Sequence, residues 1–301
     1  MPQASLFSAP PPVSPEGAPR LVAHRTRHRI APFRFLRAES FEAADILLRA
    51  NPGAVPMAGG LDVVNRMKEG VTPPAVVWLG AIPGADAITH EGDDLVIGAA
   101  CRHDQLATSP LVQALLPDLA AVWGRIASSR IRAQGAVVGN VMADVPAYEG
   151  PALLAALGAQ LTVLANGRSE TLALADRQEE ATAPVLVTAL RVPLAAPSGV
   201  RRLVYDRSLR PALAVALSLD VADGQVLAAR AVLGAGHARP VVRAVPATGR
   251  TLGEMAAQAP DLAAQAFADL PDFTTPWAGR TAYRRRVAPQ LLSRLLKEAA
   301  R

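Results

Sequence analysis

Residues 54–70, AVPMAGGLDVVNRMKEG, constrain the fold more than any other stretch of this 301-residue chain. A short apolar run meets two adjacent glycines and then a helix-forming segment, an order that predicts a strand, a tight turn and a helix start. Backbone N–H groups that converge at such a turn can cradle a phosphate. A hydroxyl directly after the glycines would join them, and Leu61 stands there instead.

A strand–turn–helix unit needs other layers to pack on. The length suits roughly two or three modules in one globular body. Half of the residues are apolar and 19% are charged, which excludes global disorder. No run of about eighteen apolar residues occurs, so no membrane span is predicted. The longest candidate, PALLAALGAQLTVLA, is interrupted by Gly158, Gln160 and Thr162. The net charge of +5 gathers near the two ends, but aromatics make up only 4%, and no basic reading helix is legible. Nucleic acid is therefore not the expected partner, and the basic stretches read as solvated helix faces or subunit contacts. The single cysteine, Cys101, excludes a disulfide framework and an iron–sulfur cluster ligated by this chain, which would need about four thiolates. It reads as a small packed apolar residue in a reducing compartment, the cytoplasm. The five histidines lack ligand spacing, so no metal site is predicted.

Residues 1–29 are rich in Pro, Ala, Ser and Arg, lack a secretory apolar core, and read as a disordered extension. A docking arm and an upstream start codon remain alternatives, and an arginine-rich, acid-poor start also imitates a transit peptide. FRFLRAES then predicts an edge strand, and Ser40 caps a helix, FEAADILLRA, that stops at Asn51, Pro52 and Gly53. PPAVVWLGAI reads as a buried strand and DAITHEGDDLVIGAA as a hairpin turning within Glu91 to Asp94. SPLVQALLPDLAAVWGRIAS predicts a helical segment capped by Ser109 and bent at Pro117, followed by a loop, RIRAQGAVVGNVMADVPAYEG. Pro151 starts a short helix, and QLTVLANGRSETLAL forms a hairpin at Asn166 and Gly167. Pro197, Ser198 and Gly199 mark a boundary. Beyond it, a long hairpin turns at Asp223 and Gly224, and several helices follow, giving a sheet with helices on one face. A third glycine cluster, LGAGHARP, departs from the dinucleotide fingerprint at Arg239 and precedes Pro240 rather than a helix, so it reads as a strand end.

Two glycine loops thus stand out, each flanked by regular structure. In sequence order, AVPMAGGLDVVNRMKEG, IPGADAITHEGDDLVIGAACRHDQLATSPLV and IRAQGAVVGNVMADVPAYEGPALLAALGA resemble the flavin-binding medium subunit of the molybdenum hydroxylases, the xanthine dehydrogenase and carbon monoxide dehydrogenase family. The resemblance runs from about Pro32 to the C-terminus, where DGQVLAARAVLGAGHARPVVRA and AGRTAYRRRVAPQLLSRLL match the family's last domain. It implies an α+β fold: a two-part FAD-binding region of the vanillyl-alcohol-oxidase (PCMH) type, then a C-terminal α/β domain like that of the carbon monoxide dehydrogenase flavoprotein. The implied division is an extension at 1–29, an FAD-binding domain at 30–196 (subdomains about 30–84 and 85–196) and a flavoprotein domain at 197–301.

The resemblance also implies the site. Backbone groups at Ala58, Gly59, Gly60, Leu61 and Asp62, and at Ala136, Val137, Val138, Gly139 and Asn140, match the two loops that hold the FAD pyrophosphate. Glu149 matches an acidic position used toward the cofactor; read by itself, it is also a helix N-terminal carboxylate. Several positions depart from the family: Leu61 replaces a Ser or Thr, Ala136 a Thr, Val138 a Gly and Ala133 an Asn, and Asp144 sits one place early with Val145 following. A positive φ at Val138 would strain its β-branched side chain. The implied role is an electron-transfer subunit that oxidises no substrate alone. Its implied partners are a molybdopterin-binding large subunit and a two-iron two-sulfur small subunit, in a dimer of heterotrimers. A scaffold subunit of the same complex with weak or lost FAD binding is the alternative, and a free-standing flavin reductase is disfavoured by the complete C-terminal resemblance.

Overall fold

The computed structural model describes residues 30–176, 185–195, 199–207, 213–235, 237, 239–272 and 281–301; the extension at 1–29 and Pro197 and Ser198 of the boundary lie outside them. The first layer holds β1 (Arg34–Arg37), α1 (Phe41–Ala50), β2 (Val55–Met57), α2 (Leu61–Lys68) and β3 (Ala75–Trp78). Its strands pair in parallel in the order β1-β3-β2, which leaves β1 at an edge as expected. Ser40 accepts from the Ala43 N–H at 3.1 Å and so fixes the start of α1. The Ala44 and Leu48 face of α1 then packs on Ala75 and Val77.

The second layer runs β4 (Ile88–Glu91), β5 (Asp94–Gly98), α3 (His103–Thr108), α4 (Pro110–Leu115), α5 (Pro117–Trp123), α6 (Ser129–Gln134), α7 (Val137–Met142), α8 (Gly150–Ala156), β6 (Gln160–Ala165), β7 (Arg168–Ala173) and β8 (Leu186–Pro193). The strands form one antiparallel sheet, β4-β5-β8-β6-β7. Both hairpin turns fall where the sequence puts them. The expected bent helix is two helices, because Leu116 leaves helical geometry at φ −140° and ψ 65° before Pro117 starts the next. The segment read as a loop holds α6 and α7. Burial of Val137, Val138 and Val141 drives α7 despite poor local formers.

The third layer comprises β9 (Val200–Arg207), β10 (Ala214–Ala222), β11 (Gln225–Gly234), β12 (Val241–Ala244), α9 (Leu252–Ala257), α10 (Ala259–Ala266) and α11 (Thr281–Ala299). Its antiparallel order is β12-β11-β10-β9. Both faces of this sheet are buried: alternate β10 residues Val215, Leu217 and Leu219 join the core under α9 to α11, whereas Ala216 joins the core around α8. Helices on one face is thus a partial description, since α8 of the second layer covers the other. Small residues permit this approach. A Cβ on Gly234 would fall 2.8 Å from the Ala152 methyl group. Among the described residues, no helix is long and apolar enough to cross a membrane.

Candidate functional site

Gly60 ends the first glycine turn at φ +78°, a left-handed conformation that favours glycine, and serves as the N-cap of α2. The first bond of α2 runs from the Val64 N–H to the Gly60 carbonyl at 2.9 Å. The N–H groups of Leu61, Asp62 and Val63 therefore precede the helical ladder. The second loop is pinned by two bonds to the segment before α3: His103 N–H to the Gly135 carbonyl at 3.0 Å and Val137 N–H to the Cys101 carbonyl at 2.8 Å. The two loops touch. A Cβ on Gly59 would lie 2.0 Å from the Gln134 carbonyl oxygen, so glycine is required there by loop packing.

Between the loops opens a cavity of about 540 Å³, within the range that ligand sites occupy. Ala58, Gly59, Gly60, Leu61, Asp62, Ala136, Val138, Gly139, Asn140 and Glu149 all line it. Val137 does not; its side chain is fully buried in the core and its N–H is spent on Cys101, which removes it from the candidate donors. The Asn140 N–H is likewise bonded to the Ala136 carbonyl at 2.9 Å, so the donors of the second loop reduce to Ala136, Val138 and Gly139. Val138 lies in helical backbone, outside the positive-φ residues, and the expected strain is absent. A methyl group placed on Gly139 would meet no protein atom closer than the Ala136 Cβ, at 3.7 Å. A side chain there would occupy cavity space.

The charged side chains on the cavity wall are paired among themselves. Asp62 meets Arg66 at 2.7 Å, and Arg66 also donates to the Ala143 carbonyl. Burial pushes the Asp62 carboxyl above its usual range, against the pull of Arg66. Glu149 accepts from the Tyr205 hydroxyl at 2.9 Å and pairs with Arg207 at 2.9 Å. With both cations facing carboxylates, recognition of a phosphate falls to backbone N–H groups. His103 backs the second loop: its Nδ1 accepts from Trp123 Nε1 at 3.0 Å, and burial, helped by Arg132, lowers its pKa to about 4. Cys101 is fully buried, as expected, and burial raises its thiol to about 12.

Sequence reasoning missed Arg66, His103, Tyr148, Tyr205 and Arg207. The four-residue spacing of Asp62 and Arg66 on α2 is a legible signal. Tyr205 and Arg207 come from β9 and carry none.

A glycine turn and a helix start, each with N–H groups outside the backbone ladder, line one cavity and define a chain suited to a phosphate-bearing cofactor. A family model described as the FAD binding domain in molybdopterin dehydrogenase matches residues 31–195, over half of the chain, and the chain belongs to that family, the flavin-binding medium subunit type of the molybdenum hydroxylases. FAD is the cofactor of this family, and the cavity fits a group anchored through its phosphates. The carbon monoxide dehydrogenase medium chain of Hydrogenophaga pseudoflava is 33% identical over 129 residues, 42% of this chain and 45% of that protein. That of Afipia carboxidovorans is 31% identical over 159 residues, 51% and 55% of the two chains. The chain thus spans about half the length of these relatives in the matched stretches. The structure of reconstituted CO dehydrogenase from Oligotropha carboxidovorans superposes with a TM-score of 0.80 at 26% identity, covering 91% of this chain and 99% of that one.

Proposed function

We propose that the chain is the electron-transfer subunit of a molybdenum hydroxylase complex, passing electrons from the iron–sulfur clusters of a partner to an external acceptor. The redox chemistry is that of the bound FAD. The observation that carries this reading is the shared cavity onto which both glycine loops open. The N–H groups of Leu61, Asp62 and Val63, with those of Ala136, Val138 and Gly139, would hold the pyrophosphate. Ala58, Gly59, Gly60 and Asn140 shape the wall, and Glu149 would accept a hydrogen bond from the cofactor. The working division is an FAD-binding region at 30–196 and a flavoprotein domain at 197–301. A molybdopterin-binding large subunit and a two-iron two-sulfur small subunit complete a cytoplasmic dimer of heterotrimers, consistent with relatives that are medium chains of dehydrogenases.

A second reading, a scaffold with weak or lost FAD binding, is favoured by Leu61 and Ala136, which line the cavity without hydroxyls. The two readings separate by titrating the purified full-length chain with FAD and following flavin fluorescence. Saturable one-to-one binding that survives dialysis supports the electron-transfer reading, and occupancy lost on dialysis supports the scaffold. A folded chain that binds no FAD at millimolar concentration overturns the electron-transfer reading and leaves the scaffold.

A further inference from the structure

The Glu149 side chain is 9% exposed, lines the cavity, and sits at the N-cap of α8 without capping a backbone N–H. Both of its partners reach the same oxygen. Tyr205 donates to Oε1 at 2.9 Å, and Arg207 approaches Oε1 at 2.9 Å. Among the described residues no donor is bonded to Oε2. Oε2 is not among the buried unpaired atoms, so it opens onto the cavity, where a donor on a bound ligand can reach it in place of water.

Tyr205 and Arg207 are two residues apart on β9 and so share the face that also carries Leu203 into the core around α8. The register of β9 on β10 fixes them, Tyr205 opposite Ala216 and Arg207 opposite Ala214. Burial first, then the Glu149 charge, pushes the Tyr205 hydroxyl far above its ordinary range, so it stays a donor. Arg207 is about half exposed at the cavity wall and supplies charge without being sealed in.

We propose that Tyr205 and Arg207 are positioning residues of the cofactor site: by occupying Oε1 they orient the Glu149 carboxylate so that Oε2 accepts a hydrogen bond from a hydroxyl or N–H donor of the bound cofactor. The C-terminal sheet thereby takes part in cofactor recognition, although the glycine loops lie entirely in the first two layers. This rests on the FAD reading above.

The test is a double-mutant cycle on the full-length chain, with FAD affinity read by flavin fluorescence and apo-protein stability read by thermal melting. Tyr205→Phe and Arg207→Gln should each weaken FAD roughly tenfold, the loss expected when a charge-assisted hydrogen bond is no longer held in place. Arg207→Lys should recover most of the affinity. In a Glu149→Ala background, neither Tyr205→Phe nor Arg207→Gln should weaken FAD further. Affinities unchanged from wild type, or losses of the same size without Glu149, overturn the inference even if the apo protein melts earlier. A wild-type chain that folds but binds no FAD overturns the functional reading itself, and this inference with it.

Discussion

His103 shows how burial writes a pH dependence into the site. It is 3% exposed, and its neutral Nδ1 accepts from Trp123 at 3.0 Å. With a folded pKa lowered from 6.5 to about 4, the unfolded chain binds more protons than the folded one between those values. Stability is therefore whole above pH 6.5 and is lost as the pH falls toward about 4, by about 3 kcal/mol at most. His237 shares the same window, its pKa lowered to about 4 by burial and then by Arg284 and Arg243. His103→Asn keeps an acceptor for Trp123 but removes the titration. Urea melts across this range should show a shallower pH slope for the variant; an unchanged slope would place the acid sensitivity elsewhere. Leu61, Ala136 and Val138 need separate treatment. If each missing hydroxyl removes a hydrogen bond to phosphate worth about 1.5 kcal/mol, Leu61→Ser with Ala136→Thr should tighten FAD by about a hundredfold. Val138 is 5% exposed in helical backbone, and Val138→Gly should destabilise without tightening FAD. Titration and melting of the three single variants check each sign.

At the scale of elements, the two loops use glycine for different reasons, and substitution should separate them. A methyl group on Gly59 would meet backbone at 2.0 Å, so Gly59→Ala must part the loops and should lower both melting temperature and FAD affinity. Gly139 lies inside α7 with free space beside it, so Gly139→Ala should melt no earlier than wild type, and later by up to about 1 kcal/mol of helix propensity. Its methyl group enters the cavity and should weaken FAD roughly tenfold, an overpacking cost. Equal effects on melting from both variants would refute the distinction. The same contrast explains what was legible in the sequence. The hairpin turns at Asn166–Gly167 and Asp223–Gly224 need left-handed backbone, with φ of 53° and 72° and of 50° and 74°, and their residues declare it. Ser40 and Pro151 declare helix starts in the same way. The six-residue helices α3 and α7 declare nothing, because their stability comes from contacts made by distant chain, whereas Ser128 caps α6 and is a start signal that went unread. Likewise the glycine loops of the site were legible, whereas Tyr205 stands 56 residues from the Glu149 it holds.

Across the whole molecule, α8 is the shared element: Gly150, Ala152, Leu153, Leu154, Ala155 and Ala156 are all buried, and the helix packs on β10 and β11 of the third layer. Arg201 adds a polar tie, donating to Asp220 at 2.8 Å and to the Leu157 and Pro193 carbonyls. Glu149, at the start of α8, therefore reports to the glycine loops and to the C-terminal sheet together. Such continuity ties the cavity wall to the C-terminal sheet, but holding a cofactor is distinct from delivering electrons. Under the proposed function, oxidation of substrate takes place at a molybdenum centre of one partner and electrons arrive through clusters of another. The chain has one cysteine, which is buried, whereas a cluster needs about four thiolates. Among the described residues, no group of three or more His, Cys, Asp or Glu side chains is placed to hold a metal ion. The isolated chain, loaded with FAD, should consequently show no substrate-dependent reduction of an artificial dye. It should reduce that dye when a strong chemical or enzymatic reductant reaches the flavin directly, and substrate dependence should appear only on adding the cluster-bearing and molybdopterin-bearing subunits together. Dye reduction driven by a molybdenum hydroxylase substrate in a preparation shown to contain this polypeptide alone would overturn the assignment of the chain as an intermediate carrier.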